Sequence, residues 1–73
     1  MPSIKFLVAT DPAYYGPDAG PQDVQEFADF AYQYLLRNGY EHVEIELVER
    51  YPSGNADSQS ALREEILFAY HGN

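Results

Sequence analysis

Residues 21–50 read PQDVQEFADFAYQYLLRNGYEHVEIELVER, and this stretch decides the fold because its hydrophobic spacing changes once along its length. In the first part, apolar side chains recur at intervals of three and four, as on one face of an α-helix. They are Val24, Phe27, Ala28, Ala31, Tyr34 and Leu35. Pro21 suits the first helical turn, and Asn38-Gly39 supplies a stop. The pattern predicts a helix between these positions.

The second part, residues 42–50 (HVEIELVER), alternates between apolar and mainly charged side chains. Alternation with a period of two is typical of a strand with one buried face and one wet face. The face predicted to be buried carries Val43, Ile45 and Leu47, and the wet face carries Glu44, Glu46, Val48 and Arg50.

The residues before the helix predict a strand followed by a long loop. Residues 4–9 (IKFLVA) are branched or aromatic and stop at a turn, Thr10-Asp11-Pro12. Both faces of this strand are apolar apart from Lys5, so we expect an interior strand covered on two sides. Residues 11–21 (DPAYYGPDAGP) hold three prolines and two glycines, a density that excludes helix and regular strand.

The C-terminal part predicts a second helix. A polar loop over residues 52–57 leads to Asp57 or Ser58 as the helix cap. Apolar side chains then repeat at helical spacing up to Gly72; they are Leu62, Ile66, Ala69 and Tyr70.

The order strand, helix, strand, helix predicts one small α/β domain over residues 1–73, with α+β as the alternative class. We expect two layers built on a right-handed βαβ unit. Two strands alone make a marginal sheet, so we expect strands of neighbouring copies to complete it in a homodimer or larger assembly. A third strand near Tyr51 to Asn55 would weaken that expectation.

The charge balance excludes several classes of partner. Twelve acidic residues against four basic ones give a net charge of -8, which disfavours direct binding to nucleic acid or to an anionic membrane. The chain has no cysteine, no signal-peptide pattern and no apolar run of bilayer-spanning length, so we expect a cytoplasmic protein without disulfides.

Motifs for catalysis or cofactors are missing. There is no phosphate-binding glycine loop followed by lysine, no Gly-x-Ser-x-Gly elbow and no His-x-x-x-His pair, so we expect no cofactor and no metal. His42, Glu44 and Glu46 share a strand face, which favours a solvated face over a metal site. His71 lies where a cation stabilises the C-terminal end of a helix.

One enzyme alternative rests on Pro2, which removal of Met1 would expose as a secondary amine before the first strand. In this feature and in the element order of the first 50 or so residues, the chain resembles the small tautomerases, which use an N-terminal proline as general base. The family's arginine after the first strand and its C-terminal glycine-rich hairpin have no counterpart here. The resemblance implies a tautomerase-like activity at Pro2 as the second hypothesis.

The features that remain favour protein binding. Tyrosine suits interfaces because its ring can be buried while its hydroxyl stays wet. Tyr14 and Tyr15 lie in the first loop, and in the alternative arrangement one of the two rings folds back over the core. We predict that these two tyrosines and the residues of an acidic face bind the partner. The acidic residues are Glu26, Asp29, Glu41, Glu44, Glu46 and Glu49. The alternative explanation of the acidic face is solubility.

We therefore expect a noncatalytic interaction module that binds a protein partner with a basic surface. An acidic face of this kind could occlude a surface that normally binds nucleic acid. In size and charge the chain has the character of the compact inhibitors of phages and mobile elements, including anti-CRISPR proteins, which is an analogy of class only.

Overall fold

The computed structural model describes residues 2–53 and 57–72. In chain order these form strand β1 (Ser3–Ala9), a short 3-10 helix (Pro12–Tyr15), helix α1 (Pro21–Arg37), strand β2 (His42–Val48) and helix α2 (Ser60–His71). The predicted order and the α/β class are confirmed. None of the helices in the described part of the chain is long and apolar enough to cross a bilayer.

β1 and β2 form a parallel two-stranded sheet. Its register pairs Ile4 with Val43 and Phe6 with Ile45, so the apolar side chains of both strands lie on the same face. Helices α1 and α2 contribute most of the remaining core, where the most buried large side chains include Phe27, Leu35 and Ile66. Burying a side chain such as Phe27 stabilises the fold by roughly 1.5–3 kcal/mol.

The ends of α1 follow from local sequence. At its start, the Asp23 carboxylate accepts the Gly20 N–H at 2.7 Å, which satisfies a donor that has no partner within the helix. At its end, Gly39 has φ 102, a backbone conformation that glycine adopts without strain. The stop predicted at Asn38-Gly39 is confirmed, since Arg37 is the last helical residue.

The prediction that β1 is covered on two faces holds only at the end of the strand near Ala9. Phe6 and Val8 are buried against the helices, whereas Lys5 on the opposite face is exposed. Both helices contribute to the core on the Phe6 side, whereas Lys5 and the neighbouring Glu44 and Glu46 of β2 are exposed on the other face. On that face Leu7, which pairs with Glu46, is half-buried, and Ala9, which pairs with Val48, is buried.

The wet and buried faces of β2 are less distinct than the alternation suggests. Ile45 and Val43 are half-buried, and Leu47 is 59% exposed, contrary to the prediction that it is buried. β2 is an edge strand with no neighbour on its outer side in the described residues, so side chains near its end have fewer groups to pack against.

The loops also depart from the sequence-based expectation. The first loop contains the 3-10 helix Pro12–Tyr15, which the proline and glycine content had been expected to exclude. Helix α2 starts at Ser60 with Gln59 in the cap position, later than the predicted cap at Asp57 or Ser58. Residues 51–53 form no strand, and the rest of the segment considered for a third strand lies outside the described residues.

Candidate protein-binding surface

The outer edge of β1 is closed by side chains. The Gln59 amide nitrogen donates to the Lys5 carbonyl at 2.7 Å, and the Leu7 N–H donates to the Gln59 amide oxygen at 3.0 Å. One primary amide thus makes the two hydrogen bonds that a neighbouring strand would otherwise supply. Because Gln59 uses its side chain in this way, it does not cap α2.

Two tyrosines complete this edge at Ala9. The Ala9 N–H donates to the Tyr51 hydroxyl at 3.0 Å, and the Tyr15 hydroxyl donates to the Ala9 carbonyl at 2.6 Å. The two hydroxyl oxygens lie 3.1 Å apart. Burial, and next the hydrogen bond with Tyr51, raise the pKa of Tyr15 well above its ordinary range. Tyr15 therefore stays neutral and keeps its proton for the Ala9 carbonyl.

Arg63 of α2 holds the segment that carries Tyr51. Both terminal nitrogens of its guanidinium donate to the Asp57 carboxylate, and its Cζ atom lies 3.6 Å from the centroid of the Tyr51 ring. The hydrogen bond from Arg63 lowers the pKa of Asp57. An arginine stacked on an aromatic ring and paired with a carboxylate fixes all three groups.

The face of the sheet opposite the helices is the exposed acidic surface. Glu44 and Glu46 project from it with side chains 71% and 45% exposed. Lys5 lies beside them, with its Nζ 3.5 Å from a Glu46 oxygen and 3.9 Å from a Glu44 oxygen. We name the surface formed by Glu44, Glu46 and the adjacent Lys5 the open acidic face. Its two glutamates are the part of the predicted site that the fold assembles on one surface.

We compared the chain with protein-family models, with curated proteins and with solved structures. None of the three comparisons found a match.

The other predicted acidic residues fall in different places. Glu41 lies beside Glu44 in a shallow cleft at the start of β2, and Glu49 is exposed just beyond the end of β2. Asp29 is exposed on α1 at the rim of a groove that α1 forms with β2. Glu26 lies beside Tyr70 of α2, whose pKa is raised by burial first and then by that carboxylate. The fold thus separates Glu26 from the open acidic face.

The two adjacent tyrosines take the alternative arrangement considered for them. Tyr15 is only 4% exposed and packs on Phe27 with ring centroids 5.0 Å apart, so it belongs to the core. Tyr14 is 43% exposed and stands edge-on to Tyr51 at 5.0 Å. Of the pair, Tyr14 offers a partner the larger surface.

The residues considered for catalysis or for metal binding lie in surroundings typical of a protein surface. Pro2 is exposed, and its carbonyl accepts the Glu41 N–H at 2.9 Å. The shallow cleft that Glu41 lines also includes Lys5, whose ammonium already faces Glu44 and Glu46. Within the described part of the chain, no three His, Asp or Glu side chains are arranged to hold a metal ion. The His71 ring packs against Tyr70 at 5.2 Å.

Sequence reasoning missed the residues that close β1, namely Tyr51, Asp57, Gln59 and Arg63. Their hydrogen bonds to β1 and to each other leave no periodic pattern, and Gln59 and Tyr51 are more than 40 positions from their partners in β1. The one available signal was the short sheet itself. A two-stranded sheet that is stable needs some other group to satisfy its edges.

Proposed function

We propose that this protein is a noncatalytic binding module that attaches to a basic surface of a protein partner and blocks that surface for nucleic acid. The observation that carries the proposal is the open acidic face, where Glu44 and Glu46 are exposed on the face of the sheet opposite the core. A cationic partner surface is the complementary shape and charge for such a face.

The spacing of the carboxylates supports the idea of occlusion. Residues two apart on a strand are separated by about 6.6 Å, a distance similar in scale to that between neighbouring phosphates. Basic side chains arranged for a phosphate backbone can therefore meet these carboxylates. The net charge of -8 adds long-range attraction, which accelerates the encounter with a basic protein and weakens in salt.

Lys5 does not prevent this binding. Its contacts to Glu44 and Glu46 are long, and all three side chains are largely exposed. Exposed ion pairs of this kind contribute about 0–1 kcal/mol. An arginine or lysine of the partner can therefore displace the Lys5 ammonium at little cost.

The test is affinity capture with a charge-reversal variant and a matched control. The tagged wild type and the tagged double variant Glu44→Lys, Glu46→Lys are each used to capture proteins from a cell extract, at low and at high salt. The control is Asp18→Lys, Glu64→Lys, which makes the same change in net charge at two exposed positions that do not belong to the open acidic face. Retained proteins are identified by mass spectrometry and then assayed for nucleic-acid binding with and without the module.

We expect the wild type and the control to retain the same basic protein, which salt releases and which the Glu44, Glu46 variant loses. The retained protein should bind nucleic acid less well when the module is present. Equal loss in the control would mean that only net charge matters. Retention that changes neither with salt nor in either variant would contradict the proposal.

A further inference from the structure

The outer edge of β2 is the second feature of this surface, and it differs from the open acidic face in offering backbone groups. The Val48 carbonyl accepts the Thr10 N–H at 2.8 Å, so Val48 directs its backbone towards β1. Because backbone direction alternates along a strand, Val43, Ile45 and Leu47 direct their N–H and C=O groups away from β1. No strand of the described residues pairs with them there. Such an edge is able to pair with another strand.

The two sides of this edge have opposite chemistry. On the side of the helices, a groove of about 310 Å³ runs between α1 and β2. Its apolar lining comes from both elements and includes Val24, Ala28, Tyr32, Ile45 and Leu47. On the other side of the edge lie Glu44 and Glu46. A strand placed along the edge would present alternate side chains to an apolar groove and to carboxylates.

We infer that the outer edge of β2 binds an extended segment of the protein partner as an added strand, and that basic and apolar residues alternate in this segment. The inference rests on the proposed function, since it specifies which part of a basic partner meets the module. Main-chain hydrogen bonds to Val43, Ile45 and Leu47 would supply affinity, and the alternating side chains would supply specificity. Asp29 at the rim of the groove would meet a flanking basic residue.

A second copy of this chain fits the edge poorly. In a two-fold symmetric pair, the two β2 strands would run antiparallel with equal faces on the same side. Glu44 and Glu46 of one copy would then face Glu46 and Glu44 of the other. Like charges directly opposite each other destabilise a strand pair, and two chains of charge -8 repel at longer range. A basic strand removes both penalties.

The test uses a fluorescent seven-residue peptide in which lysine and valine alternate, with its affinity measured by anisotropy. The control peptide has the same composition, but its valines are grouped in the centre, so it keeps the charge and loses the alternation. We expect the alternating peptide to bind about tenfold more tightly than the control. Binding should slow hydrogen exchange at Val43, Ile45 and Leu47 and leave Leu7 and Ala9 unchanged.

Two further arms examine the backbone contacts. Leu47→Pro removes an outward N–H group and leaves the hydrogen bonds between β2 and β1 intact, because proline is tolerated on edge strands. This variant should bind the alternating peptide no more tightly than the control peptide. Leu47→Val keeps the N–H and, although its side chain in the groove is smaller, should still bind the alternating peptide more tightly than the control peptide. An alternating peptide N-methylated at every residue should also bind no better than the control, a result that does not depend on the folding of any variant.

Each remaining outcome overturns the inference in a different way. Equal binding of both peptides, lost together in the Glu44→Lys, Glu46→Lys variant, would leave the proposed function standing and exclude the added strand. Binding of neither peptide would exclude the added strand, whereas the proposed function would fail only if the capture experiment retained no basic protein. A dimer in sedimentation that Leu47→Pro dissociates would show that a second copy occupies the edge.

Discussion

The two outer edges of the sheet are satisfied in different ways. On β1, Gln59 bonds to Lys5 and Leu7, and two tyrosine hydroxyls bond to the backbone of Ala9. On β2, the outward backbone groups meet no strand within residues 2–53 and 57–72. The difference shows that a chain of this size can protect one sheet edge with a few side chains, and that the edge left open is the one beside the acidic residues.

The closed edge also explains how a two-stranded sheet persists in a 73-residue chain without disulfides. A pair of strands is marginal by itself, because its edges leave polar backbone groups unpaired. Here the side chains on β1 satisfy those groups, and the residues that supply them anchor α2 against the sheet. Neighbouring copies are not needed to complete the sheet on the β1 side. On the β2 side the expected assembly stays a prediction, and the opposed glutamates of two copies disfavour it.

Hydrogen exchange tests the comparison with the largest expected effect. In the free protein, the outward N–H groups of Ile45 and Leu47 should exchange on the order of a hundredfold faster than those of Leu7 and Ala9. The reason is that side chains accept hydrogen bonds from the N–H groups of Leu7 and Ala9. Residue-resolved exchange by NMR measures this. Equal protection on both edges would mean that the β2 edge is covered in solution.

Replacing Gln59 should open the protected edge. Gln59→Leu removes both hydrogen bonds to β1 and should lower the free energy of unfolding by about 1–3 kcal/mol. Urea denaturation measures the change, and exchange at the Leu7 N–H should accelerate. Gln33→Leu makes the same replacement at an exposed position of α1 and should change stability by no more than about 0.5 kcal/mol. Equal effects of the two variants would show that the amide bonds contribute nothing.

Alkaline pH should weaken the closed edge through Tyr15. Because its pKa is raised in the folded state, the unfolded chain releases the Tyr15 proton above about pH 10 while the folded protein keeps it. Stability is therefore fully retained below that pH and falls as pH rises, by about 1.4 kcal/mol per pH unit for one such group. Thermal unfolding between pH 8 and 11 should show a shallower decline for Tyr15→Phe. The pKa values of Tyr34 and Tyr70 are raised too, so some decline should remain.

Lys5→Gln should have the smallest effect on stability. The ion pairs of Lys5 on the open acidic face are long and solvated, so we expect a change within about 0.5 kcal/mol in denaturant unfolding. The same variant should bind the alternating lysine and valine peptide more tightly, because Lys5 no longer competes with the peptide lysines for the carboxylates of Glu44 and Glu46. A large loss of stability would mean that Lys5 holds the two glutamates as part of the fold.

Most of the architecture could be predicted from the sequence because it depends on periodic patterns. The intervals between Val24 and Leu35 specify a helix face, and the alternation from Val43 to Leu47 specifies a strand. These patterns report which side of an element is apolar. They do not report what covers that side, which is why the exposure of Leu47 and the uncovered face around Lys5 were not predicted.

The candidate site could be predicted only in part. Glu44 and Glu46 share a face because the strand period requires it, whereas Glu26 and Asp29 lie where the packing of α1 places them. The burial of Tyr15 beside an exposed Tyr14 depends on a turn of 3-10 helix that composition does not specify. The open edge of β2 could not be inferred without knowing that Gln59 reaches the other strand.

The bonds from Gln59 and Tyr51 to β1 join residues 54 and 42 positions apart. Closing such long loops carries an entropic cost that must be met before the contacts form, so we expect these bonds to be established late on the folding pathway. Interactions absent from the transition state act on the unfolding rate rather than on the folding rate. The amide of Gln59 therefore determines mainly how long each folded molecule lasts before it opens to a protease, and only slightly how fast it forms.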